Sequence, residues 1–206
     1  MINTVIDLSH HNTVSNWNRV AGAGIQGVIH KATQGSTGRD QTYAGRVGRA
    51  KAAGLMWGAY HFGTGSNGVT QAEHFLDVVR PDATTLMVLD FEPNLTGPSM
   101  TLIEAHAFVT HVHNVTGRWP GFYSGHSIKQ LLGTNADPIL RDCWFWLAQY
   151  GPTAVVPPCW PTWTMWQYTD GSIGPEPHTV NSIGHCDRDK FNGGEAGLRR
   201  LWGFAD

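Results

Sequence analysis

Five short apolar runs, TVIDL (4–8), GVIHKA (27–32), MWGAYHF (56–62), LMVLDFE (86–92) and GFYS (121–124), alternate with stretches of helical pattern. Strand followed by helix, repeated, calls for a parallel sheet with crossover connections. In TLIEAHAFVTHVHNVTG, Thr101 and Glu104 have the spacing of a capping box. Leu102, Ala105, Val109 and Val112 recur with helical spacing, and Gly117 suits the C-terminal stop. GVTQAEHFLDVVR places Val69, Ala72, Phe75, Leu76 and Val79 on one face before Pro81, whereas glycines weaken YAGRVGRAKAAG. From residue 144 the helical pattern stops. WFWLAQY (144–150), TMWQYT (164–169) and HCD (185–187) are joined by segments rich in Pro, Gly and Trp. Eight strands predict an α/β fold, an irregular TIM-like barrel of about five βα units followed by three strands lacking full helices. An open doubly wound sheet is the alternative. No repeat or linker divides residues 1–206, so the chain reads as a single domain.

The fourth run stops on two acids. Asp90 and Glu92 share a strand face with Cα atoms roughly 6.6 Å apart, since alternate side chains point the same way. Like charges at that spacing repel, and one pKa tends to rise. A structural use, one acid capping the turn at EPN and the other pairing with a base, fits poorly with a strand that reads as buried on both faces. Asp7 ends the first strand and Asp187 the eighth. In a barrel the C-terminal strand ends build the active site. Strands one and eight adjoin on closure, and strand four lies across the mouth. Taken alone, Asp7 also fits an Asx turn, and Asp187 a pair with Arg188. Tyr60, Tyr123, Trp166, Gln167 and Tyr168 are the substrate-binding candidates, with Trp160 and Trp163 beside them in the cleft. Trp57, Trp144 and Trp146 read as core.

The net charge of −2 and 15% charged residues exclude a polybasic nucleic-acid surface. No run approaches the ~20 apolar residues that span a bilayer, so no membrane insertion is expected. MINTVIDLSHHN lacks a basic, apolar leader, so any export takes another route. Cys143, Cys159 and Cys186 allow at most one disulfide and read as free, buried thiols. Nine Trp suit a core or the stacking of sugar rings.

Eleven His invite a metal, but no HExxH or HxxxH is present and no Cys–His cluster has zinc spacing. His30 and His61 end strands two and three, where a metal site could be assembled from separate strands. No metal or other cofactor is expected. There is no GxSxG elbow, and GTGSNG lacks the register and the Lys of a phosphate loop. A carboxyl pair in a Trp- and Tyr-rich cleft is what glycoside hydrolysis requires. One acid must hold a proton for the leaving oxygen, and a second group must stabilise the oxocarbenium-like centre.

These motifs resemble those of glycoside hydrolase family 25, the Chalaropsis-type lysozymes. VIDLSHHN with Trp17, GVIHKATQG, GAYHF, LDFE, FYS, WLAQY, WQY and CDRDKFNG follow in the family's order over residues 5–193. The resemblance implies an N-acetylmuramidase that cuts the β-1,4 bond between N-acetylmuramic acid and N-acetylglucosamine. It implies Glu92 as general acid/base and Asp90 as the group that holds the substrate's 2-acetamido group in a retaining reaction. Asp7 and Asp187 match the other two cleft acids, and Tyr123 a site tyrosine. The partner would be cell-wall peptidoglycan and the enzyme a monomer. Gln34 stands where the family usually has Glu, and CDRD replaces VDLN, making Asp189 an extra acid. The rivals are a glycan-binding barrel without catalysis and a metal-dependent barrel hydrolase such as a deacetylase.

Overall fold

The computed structural model describes residues 1–205. The first half runs β1 (Ile2–Leu8), α1 (Trp17–Gly22), β2 (Gly27–Gln34), β3 (Gly38–Arg39), α2 (Tyr43–Ala52), β4 (Met56–Phe62) and α3 (Gly68–Val79). It continues through β5 (Leu86–Asp90), α4 (Leu102–Thr116), β6 (Gly121–Ser124), α5 (His126–Leu132) and β7 (Trp144–Ala148). The chain closes with β8 (Met165–Thr169), β9 (Thr179–Val180), β10 (Gly184–His185), β11 (Asp187–Phe191) and α6 (Glu195–Leu201).

Eight strands close a barrel in the order β1-β11-β8-β7-β6-β5-β4-β2, with β2 pairing back onto β1. This is the irregular barrel that the strand count predicts, and the open sheet is ruled out by that last pairing. The short β3 adds to the edge of β2, and β9 with β10 form a separate hairpin. Neighbouring barrel strands from β1 through β8 run parallel, the edge strand β3 is antiparallel to β2, and β11 is antiparallel to both of its neighbours.

Strand alternation sorts the apolar residues into two layers. Val5, Ile29, Met56, Leu86, Val88, Trp146, Met165 and Phe191 fill the barrel interior, where Leu198 and Trp202 also pack from α6 and the turn after it. Ile6, Val28, Trp57, Met87, Leu89, Phe122, Phe145 and Leu147 face outward against the helices. Gly121 makes the interior fit, because a Cβ there would come within 2.3 Å of the Trp144 ring.

The helices start and stop where their sequences direct. The capping box of Thr101 and Glu104 forms at the start of α4, and Gly117 ends it in the left-handed region at φ 72°. Asn67, from the glycine-rich GTGSNG, caps α3 by accepting from the Thr70 N–H. That loop starts a helix. Cys143, Cys159 and Cys186 are free and buried.

Candidate active site

One cavity at the C-terminal mouth of the barrel is lined by Asp7, Tyr60, Asp90, Glu92, Tyr123, Trp146, Tyr150, Gln167 and Asp187. Its volume is about 160 Å³. All four acids singled out in the sequence meet there.

Asp90 is the last residue of β5, a strand whose five residues are all buried. The extended path persists past it, because Phe91 donates its N–H to Tyr123 O at 2.9 Å and its ring stacks on Phe122. Phe91 O accepts from Ser124 Oγ, and Asp90 O accepts from the Gly63 N–H. The backbone is thus pinned on both sides, and Asp90 and Glu92 keep the same inward face. Burial raises the Asp90 carboxyl well above its ordinary range, and the Glu92 charge raises it further. The Lys31 ammonium opposes that rise. Glu92 is also raised, by burial. Two such carboxyls titrate as a pair, and the first proton belongs to both.

Asp7 and Asp187 pair in register across β1 and β11. The sequence reading set Asp187 at the end of the last strand; it is instead the first residue of β11. It reaches the same mouth because β11 runs antiparallel. Burial and the Asp170 charge push Asp187 up to about 6. Neither acid takes its structural alternative. Arg188 points the other way, donating to Thr179 O and Asn3 Oδ1. Asp7 caps no turn, and its Oδ2 accepts from Gln167 Nε2 at 2.7 Å. Gln167 Oε1 in turn accepts from the Tyr123 hydroxyl at 2.7 Å. Burial raises Asp7 strongly, and Asp187 and Asp189 add to the rise.

Two substrate-binding candidates are displaced. Trp166 and Tyr168 flank Gln167 on β8 and therefore face outward into the layer beneath the helices, both buried. Trp166 Nε1 donates to Gln149 O, and the Tyr168 hydroxyl is engaged by Asn3 and Pro177. Trp160 and Trp163, in the segment before β8, are buried in the same outer layer. Trp146 is core, as read, buried in the barrel interior, and it also lines the cavity, its ring edge-on to Tyr123 at 4.7 Å. Trp144 and Trp146 share the inward face of β7, and the one nearer the C-terminal end reaches the cleft. Tyr150, 41% exposed at the rim, went unremarked as a site residue.

His30 and His61 lie outside the barrel wall and converge on no common point with the acids. His30 stacks on Trp57 and binds Arg46; His61 stacks on Phe108 and binds Thr33 and Gln71. Among the described residues no group of three His, Cys, Asp or Glu is arranged to hold a metal ion. Gln34, in place of an acid, accepts from Lys31 Nζ at 2.7 Å.

Comparison with known proteins places this geometry. The profile of Glycosyl hydrolases family 25 matches residues 6–176, a stretch that includes Asp7, Asp90 and Glu92 and stops short of Asp187. Lysozyme M1 of Streptomyces globisporus is 31% identical over 211 residues, covering 95% of this chain and 70% of that protein. The N,O-diacetylmuramidase of Chalaropsis sp. is 28% identical over 182 residues, covering 80% and 86%. Among solved structures, a bacterial lysozyme from Streptomyces coelicolor superposes with a TM-score of 0.85 at 31% identity, over 96% of this chain and 95% of that one. A family GH25 lysozyme from Aspergillus fumigatus gives 0.81 at 32%, over 97% and 98%.

Proposed function

The chain belongs to glycosyl hydrolase family 25, and from that premise we propose a lysozyme reaction run by the carboxyl pair of Asp90 and Glu92. The enzyme is a peptidoglycan hydrolase of lysozyme type. It cleaves the β-1,4 bond between N-acetylmuramic acid and N-acetylglucosamine, and residues 1–206 act as one catalytic domain and as a monomer.

Glu92 is the proton donor. Burial favours its neutral form. Asp90, raised further by burial and by Glu92, yields the proton they share when the substrate's acetamido N–H joins Lys31 in favouring charge on Asp90. Protonation of the glycosidic oxygen lets the leaving sugar depart. The substrate's own acetamido oxygen attacks the anomeric carbon, and the Asp90 carboxylate accepts the acetamido N–H and so sharpens that nucleophile. Glu92, now ionised, takes a proton from the water that opens the intermediate. Asp7 and Asp187 complete the acidic wall of the cleft, while Tyr60, Tyr123 and Gln167 bind and orient the sugar.

The observation that carries this reading is the pair Asp90 and Glu92 facing one cavity on a pinned backbone. The experiment is digestion of purified peptidoglycan, reduction of the products and mass spectrometry. N-acetylmuramitol ends are expected. N-acetylglucosaminitol ends would overturn the bond assignment, and loss of acetyl groups without chain cleavage would favour a deacetylase.

A further inference from the structure

Asp189 is a carboxyl for which the reaction above has no use. It lies on β11 two residues beyond Asp187, faces the barrel interior and is fully buried. Its Oδ1 accepts a 2.7 Å hydrogen bond from Trp146 Nε1, but its Oδ2 receives no N–H or O–H donor. The inward residues around it are Gln167 and Val5 on the paired strands, Trp146 on β7, and the carboxyls of Asp7 and Asp187. Asp7 is its diagonal neighbour on the same inward face, since Val5 pairs with Asp189 and Asp7 with Asp187. Arg188 is turned to the outer face. An ionised Asp189 would therefore leave one buried oxygen unsatisfied and would set two buried anions side by side. One proton between them removes both problems.

We propose that Asp189 is a positioning residue held as the neutral acid, donating its Oδ2 proton to Asp7 and so fixing the direction of a hydrogen-bond chain that ends at Tyr123. With Asp7 kept as an acceptor, Gln167 must present Nε2 to it, as the 2.7 Å contact with Oδ2 shows. Gln167 Oε1 then faces Tyr123, whose hydroxyl proton is committed to that bond. Tyr123 offers the cavity only lone pairs. It therefore selects a hydrogen-bond donor, a hydroxyl of the bound sugar, and turns away a carbonyl at the same place. Burial is the largest influence on the Asp189 carboxyl and favours its uncharged form, against the opposing pull of the Trp146 N–H and of Arg188.

This inference rests on the glycan-cleaving role only for the identity of the donor that Tyr123 meets; the protonation of Asp189 is tested without substrate. Asp189→Asn keeps both functions of a neutral acid, since Nδ2 can donate to Asp7 while Oδ1 accepts from Trp146. Asp189→Leu keeps the bulk and loses both. Wall lysis by the Asn variant should stay within about threefold of wild type, while the Leu variant loses about tenfold or more in kcat/KM, the worth of a hydrogen bond to a charged group. If the Leu variant does not fold, infrared difference spectroscopy decides. Wild type minus Asp189→Asn at neutral pH should show a protonated-carboxyl C=O band that shifts in D2O. Ionised-carboxylate bands in that difference, or an Asn variant as impaired as the Leu variant, would overturn the proposal. A wild-type protein without lytic activity would remove the glycan reading and leave the spectral result standing.

Discussion

Asp7 and Asp187 stand directly opposite each other at the barrel mouth, paired in register across β1 and β11. Asp187 is held up at about 6, against an ordinary value of 3.8, by burial and by Asp170.

Between those two values the native state binds more protons at this group than the unfolded chain does. Its contribution to stability is present at low pH and is lost as pH rises through about 6. Asp187→Asn should therefore raise the Tm relative to wild type more at about pH 7 than at about pH 4, the free-energy gain between them reaching up to about 3 kcal/mol. Thermal unfolding at the two pH values measures it, and an equal Tm difference at both would contradict the assignment.

Gly121 faces the barrel interior against the Trp144 ring. Gly121→Ala should overpack that layer and cost about 1–3 kcal/mol. Denaturant unfolding gives the value, and a neutral result would mean that Trp144 can move aside without loss.

The first five βα units were legible because each strand is a short apolar run and each helix carries its own start and stop, as with Thr101, Glu104 and Gly117. The last barrel strand was not. DRDKF has no apolar alternation, since its inward positions are Asp187, Asp189 and Phe191 and its outward ones Arg188 and Lys190, so only HCD, which overlaps its first residue, looked like strand. The phase of β8 was equally hidden. In MWQYT both faces are buried, Met165 inward and Trp166 and Tyr168 outward, and a period of two then cannot say which face meets the cleft. The pair Asp90 and Glu92 could be read because its spacing matters more than the surroundings. Phe91 keeps pairing with β6, so the alternation runs on to Glu92 past the formal strand end.

The reaction described needs no metal. Dialysis against EDTA should leave the rate of wall lysis unchanged. Activity that vanishes and returns with zinc would move the weight to a metal-dependent hydrolase.

Glu92 and Asp90 have separate tasks and should fail differently. Glu92→Gln cannot give a proton and should lower turnover by at least about 10²-fold, the lower end for general acid catalysis, with the fold intact by circular dichroism. Asp90→Asn should also lose most activity, but by weakening acetamido attack, so a substrate with an activated leaving group should rescue turnover in Glu92→Gln and not in Asp90→Asn. Rescue of both, or near-wild-type turnover in Glu92→Gln, would sink this division of labour.

The configuration of the first-formed product tests the paired-carboxyl account most directly. Two inward residues of one extended segment suit the ~5–5.5 Å carboxyl separation of retaining enzymes better than the ~6.5–9.5 Å that admits an attacking water. Attack by the acetamido oxygen, with Asp90 holding the N–H, likewise gives net retention. An inverting reaction would need a base across the cleft, at Asp7 or Asp187. Proton NMR during the first turnovers should show the new reducing end as the β anomer, with α appearing only through mutarotation. Initial appearance of the α anomer would contradict the account and transfer the role of base to one of those distant acids.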